Sequence, residues 1–69
     1  MEKALNERDL MAARKVIFEA KLKMIEAAMN IPPENPLTKQ ASMNAWDSVG
    51  ELDGTLKKID LKLNEIRGL

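Results

Sequence analysis

Apolar positions in the second half of the chain recur with a coiled-coil rhythm. Ala45, Val49, Leu52, Leu56, Ile59, Leu63 and Ile66 follow one another at steps of 4, 3, 4, 3, 4 and 3 residues. Side chains three and four positions apart stack on one face of a helix, so the pattern predicts a helix with these residues as its core seam.

The first half carries a wider apolar surface. One stripe, Leu10, Ala13, Ile17, Ala20, Met24 and Ala27, has steps of 3, 4, 3, 4 and 3. A second stripe, Met11, Phe18, Leu22, Ile25 and Met29, runs offset around the same cylinder. At about 100° per residue, Arg14 and Lys21 fall between the two stripes, and Lys15, Glu19, Glu26 and Asn30 mark the polar side. One neighbouring helix covers a band of about 100° or a little more. We therefore assign the first stripe to the core, opposite the seam, and the second to an interface with another chain. Trp46, one position off the seam, joins the interface set because tryptophan is enriched among binding hot spots, although capping the hairpin core near Leu22 and Ile25 is the competing role.

Prolines place the boundary between these halves. They occur only at Pro32, Pro33 and Pro36. Upstream, residues 3–30 are free of glycine and proline and rich in strong helix formers. Ile31, ahead of Pro32, is pushed out of the α region. Asn35-Pro36 reads as an N-cap followed by proline at the first helical position. The expectation is a helix over 3–30, a turn over 31–35 and a helix over 36–67 ending at Gly68. Gly50 and Gly54 each weaken the second helix by about 1 kcal/mol relative to alanine. Ser48 and Glu51 have capping-box spacing and offer an alternative start. One continuous helix, bent near 48–54, is the favoured version.

The fold class that follows is all-α: a single domain over 1–69 forming an antiparallel helical hairpin, completed as a four-helix bundle by dimerisation. Charge placement agrees with the antiparallel sense. Glu2, Glu7 and Asp9 come beside Lys57, Lys58, Lys62 and Arg67, while Arg14 and Lys15 come near Glu51 and Asp53.

Composition narrows what such a hairpin can do. With 69 residues the chain buries a limited fraction of its surface, and domains of this size usually lean on disulfides, metals or association. Cysteine and histidine are both absent, which removes disulfides, thiolate metal sites and the commonest general base. Tyrosine is absent too, and no glycine-rich phosphate loop is present, so we expect no enzyme, no cofactor and no metal. Asp47, Glu51 and Asp53 lack the loop of a calcium site and read as a solvated face. Eleven basic residues balance eleven acidic ones, which argues against nucleic acid as a partner. No apolar run reaches the roughly 18–20 residues of a membrane span. The charged N-terminus lacks a signal-peptide layout, which makes the cytoplasm the default location.

Two resemblances bear on function. The helix, the Pro32–Pro36 turn and the following helix, with Thr55-Leu56-Lys57-Lys58-Ile59 in it, resemble the type III secretion needle subunits. That likeness implies a subunit of a filament. The stretch Ser48-Val49-Gly50-Glu51-Leu52-Asp53 is similar to the Ser-Gln-Glu-Leu-Asp segment of helical-hairpin phosphatases of sporulation response regulators. Here it carries one extra residue, which turns Ser48 by about 100° from the corresponding position.

The function expected from the residues themselves is protein–protein interaction. The chain would be a regulator, adaptor, inhibitor or small chaperone that associates with itself or another protein through Met11, Phe18, Leu22, Ile25, Met29 and Trp46. A structural subunit of a larger assembly is the alternative, and a nucleic-acid-binding helical dimer ranks last.

Overall fold

The computed structural model describes residues 6–68 as two helices packed against each other. Helix α1 spans Glu7–Asn30 and helix α2 spans Lys39–Arg67. No strand occurs among the described residues. The expected helical residues 3–5, and the pairing expected of Glu2, lie outside that range.

Each helix end has a local cause. Asn6 is extended (φ −113°, ψ 166°), and its side chain accepts a hydrogen bond from the Asp9 N–H at 2.9 Å. That fixes the start of α1 at Glu7, with Glu7 and Asp9 placed favourably at the positive end of the helix dipole. At the other end Ile31 is extended ahead of Pro32, and the Asn30 side-chain amide donates back to the Glu26 carbonyl at 2.9 Å. Helix α2 closes at Gly68, whose φ of 74° is the left-handed conformation that glycine adopts without strain. The Gly68 N–H reaches the Asn64 and Glu65 carbonyls, and Arg67 occupies the negative end of the dipole.

The turn is longer than the sequence suggested, and α2 starts at Lys39 rather than at residue 36. Asn35 does act as a local cap, accepting from the Leu37 N–H at 2.9 Å. The helix does not follow at once, because the Thr38 hydroxyl is drawn across the turn to the Pro32 carbonyl at 2.7 Å. The Thr38 and Lys39 N–H groups both return to the Asn35 carbonyl, and regular helix begins at Lys39. From Lys39 onward α2 is one continuous helix through both Gly50 and Gly54. Ser48 is not a second start: its hydroxyl donates to the Asn44 carbonyl at 3.0 Å, four residues back in the same helix.

Packing between the helices is set by a ladder of opposite charges. Arg67 Nε meets Glu7 Oε1 at 2.6 Å, Arg14 Nε meets Asp60 Oδ1 at 2.7 Å, and Lys21 Nζ meets Asp53 Oδ1 at 2.8 Å. Both sides of this ladder advance in steps of seven residues, so it holds a single antiparallel register along the hairpin. By the same register Ala28 stands level with Trp46. The pairing expected for Arg14 with Glu51 or Asp53 is therefore displaced by about two turns: Arg14 takes Asp60, and Lys21 takes Asp53. The eight-residue turn and the late start of α2 move the register in this direction.

The same ladder rotates α1 relative to the expectation. Its inner face runs along Leu10, Arg14, Ile17, Lys21, Met24 and Ala28, because Arg14 and Lys21 must face α2 to reach their partners. Leu10 and Ala28 are buried, and Ile17 and Met24 are half-buried. Ala13, Ala20 and Ala27, assigned above to the core, are exposed. On α2 the seam is used nearly as expected. Ala45, Leu56 and Leu63 are buried, and Val49, Leu52 and Ile59 are half-buried; Ile66, near the open end, is exposed. Ser42, one heptad before Val49, is buried as well and extends the seam toward the turn.

The result is a single layer of helices. The molecule measures 48 × 28 × 14 Å, and its radius of gyration of 15.7 Å exceeds the roughly 11 Å of a compact chain this long. Among the described residues no large side chain is fully buried. Stable domains are normally built from two packed layers, and this hairpin supplies one.

Candidate interaction surface

The ladder divides α1 lengthwise. On the far side of Glu7, Arg14 and Lys21 from the seam lie Met11, Phe18, Leu22, Ile25 and Met29. Helical phase puts Trp46 on the matching flank of α2, level with the last turn of α1. Contact at the open end confirms which flank this is, since Arg67, while bonded to Glu7, also donates to Met11 Sδ at 3.6 Å.

Among the described residues, only Arg67 at the open end reaches over part of this face, and the rest is uncovered. Met11 is 46% exposed, Phe18 42%, Leu22 51%, Met29 71% and Trp46 47%, while Ile25 is half-buried. Met43 is exposed beside Trp46. Six side chains assigned to an interface are thus brought onto one side of the molecule, five of them largely open to water. Scattered exposed apolar residues are ordinary; a contiguous band of large ones usually marks a contact site.

The total exposed surface is large for the mass. A folded monomer of 7.8 kDa exposes about 4,400 Å² by the usual scaling of surface with mass. This chain exposes 5614 Å². The excess, about 1,200 Å² over the whole surface, is that of a single layer of two helices.

The polar rim has its own pattern. Arg8 and Lys15 border the apolar band in the N-terminal half of α1, and Glu19 and Glu26 border it in the C-terminal half. Among the described residues none of these four forms an ion pair, in contrast to the inner ladder charges.

Electrostatics on the inner flank are coupled to the fold. Hydrogen bonds from Lys21 and then Lys57, reinforced by their charges, hold the Asp53 carboxyl below the ordinary aspartate range. The hydrogen bond to Asp60 favours the charged form of Arg14. Each of these pairs is partly open to solvent, so they select register and direction more than they add stability.

For chemistry the surface offers little. No group of acidic side chains among the described residues is arranged to hold a metal ion. Asp53 faces Lys21 and Lys57, which sets it apart from Asp47 and Glu51. No described helix is long and apolar enough to cross a membrane.

Sequence reasoning placed Glu7 beside Arg67, as the structure does, but missed the other two rungs of the ladder and the two small buried residues, Ala28 and Ser42. A signal was available. Glu7, Arg14 and Lys21 repeat every seven residues, as do Asp53, Asp60 and Arg67, with opposite signs in reversed order. Ala28 and Ser42 continue the heptads of Lys21 and Val49.

Comparison of the chain with protein-family models, with curated proteins and with solved structures finds no match.

Proposed function

We propose that this chain is a small non-enzymatic interaction protein that works through the uncovered face of its hairpin and associates with itself there. The observation that supports this most directly is the exposure of Met11, Phe18, Leu22, Met29 and Trp46 on one side of the charge ladder. Closure of two such faces against each other supplies the missing second layer and gives a four-helix bundle. Recognition of another protein's amphipathic helix would use the same groove chemistry, and fits a regulator, adaptor, inhibitor or small chaperone.

One observation favours a second reading as a filament subunit. The opposite side of the hairpin also exposes apolar groups, Ala13, Ala20 and Ala27 on α1 and Ile66 on α2. Two different apolar sides permit head-to-tail contacts that do not close. Sedimentation at several concentrations separates the readings. A discrete dimer supports the first, growth without limit supports the second, and a monomer at millimolar concentration would remove self-association altogether.

A further inference from the structure

Resting on self-association through this face, we infer that the occupant of the apolar band is a second copy of this chain, with the two α1 helices running antiparallel about a two-fold axis beside Ala20. Four observations lead there.

The first is direction. In a two-fold antiparallel pair, the same flank of each helix meets itself in reverse order. The outer rim of α1 is basic at Arg8 and Lys15 and acidic at Glu19 and Glu26, so reversal sets basic rim against acidic rim. A parallel pair would set Lys15 against Lys15 and Glu26 against Glu26, and like-charge juxtaposition is a recognised means of excluding an arrangement.

The second is register. The band reads Met11, Phe18, Leu22, Ile25 and Met29, with steps of 7, 4, 3 and 4. Centring the reversal on Ala20 brings Met11 level with the partner's Met29 and Phe18 level with the partner's Leu22, each occurring twice by symmetry. Lys15 then lies one residue out of level with the partner's Glu26. Two apolar pairs and one rim pair come together in this register, while Ile25 stands level with the partner's Lys15 beside that rim pair.

The third is the angle around α1. Its contact with α2 centres near Leu10 and Ala28, and the outer band lies about 100° away around the helix. Near 90° is what a helix in a square four-helix bundle needs between its two neighbours. The second copy therefore fits beside α1 and closes over the ladder, which lies between the two contacts with each of its charges already paired.

The fourth is what happens on α2. Through the hairpin register, Ala20 stands level with Gly54, so the same axis passes α2 there. Gly50 follows Trp46 at a four-residue step at the edge of that flank, and a Cβ added to it meets nothing within 4 Å in the hairpin. The missing side chain at Gly50 leaves room for the second α2, whose Trp46 and Met43 would enter the same interface.

The chain has no native cysteine, so directed cross-linking is clean. Met11→Cys and Met29→Cys chains, both at exposed positions, are mixed and treated with a short bismaleimide, and each is also treated alone. The expected result is efficient cross-linking only in the mixture. Efficient cross-linking of either variant alone overturns the antiparallel register, as does no cross-linking in a sample that still sediments as a dimer. Unsubstituted chain that sediments as a monomer removes the self-association on which the inference rests, and is thereby distinguished from a wrong register.

Charge exchange tests direction independently. Lys15→Glu and Glu26→Lys should each weaken dimerisation, by roughly tenfold at low salt. Both changes in one chain should restore it. An exchange that leaves the dimer as weak as the single variants, or single variants that leave it unchanged, overturns the proposed pairing.

Discussion

The two helices are alike in length and unlike in how they use their apolar residues. Helix α2 concentrates most of its large apolar residues into one seam, leaving Met43, Trp46 and Leu61 outside it, and α1 covers most of that seam. Helix α1 spreads its own over a much broader arc, and α2 covers only the middle. The charge ladder sits at that middle: Arg14 and Lys21 occupy positions where a purely apolar pairing would place leucines. The lesson is that register and coverage are separate properties. Ion pairs fix how the helices slide past each other, while the distribution of apolar side chains decides whether the pair is complete.

The sharpest way to break this comparison is to charge the uncovered side of α1. Phe18→Asp with Leu22→Asp is expected to abolish self-association, with Kd raised more than about a hundredfold, while circular dichroism retains much of the helix signal. Association that survives would place the working surface elsewhere. Next in size is the covered side of α2. Leu56→Ala removes a buried seam residue and should cost about 2–3 kcal/mol in denaturant unfolding. Leu61→Ala, on an exposed residue of the same helix, should stay within about 0.5 kcal/mol. Equal losses at the two sites would contradict the orientation of α2.

Smaller effects sharpen the comparison at its edges. Asn6→Ala removes the cap that starts α1 and should cost about 1 kcal/mol, seen as early loss of amide protection in the first turn. Arg14→Asp should lower the melting temperature, and Asp60→Arg in the same chain should recover most of the loss. A double variant no better than the single one would mean that the ladder does not set the register.

The smallest expected effect is on pH. Asp53 binds its proton less readily in the fold than in the unfolded chain. Its contribution is therefore present above the ordinary aspartate pKa of about 4 and is lost as pH falls through the lower folded-state value. Asp53→Asn should flatten part of the decline in melting temperature seen on acidification below that range.

How much of this was legible in the sequence follows from which forces the pattern reports. Heptad spacing identified α2 and its seam, since burial on one face leaves a strict period, and the prolines marked the turn between the helices. The rotation of α1 was not legible from hydrophobicity, because the arc from Ala27 round to Leu22 offers several equally apolar faces. Only the long-range pairing of Arg14 and Lys21 with Asp60 and Asp53 selects one, and that pairing depends on the length of the turn. The turn in turn hinged on the Thr38 hydroxyl reaching Pro32, a contact without a sequence period. The exposure of the band was legible as a group, since Met11, Phe18, Leu22 and Met29 are residues left over once one face of α1 is covered.

Trp46 is the single tryptophan of the chain and sits on the disputed face, so its fluorescence reads the central claim directly. Emission and acrylamide quenching would be followed as concentration rises, alongside the sedimented mass. The account predicts a blue shift and loss of quenching as the mass goes from 7.8 kDa to about twice that value, and neither change in the Phe18→Asp, Leu22→Asp chain. A doubled mass with Trp46 still open to quencher would contradict it.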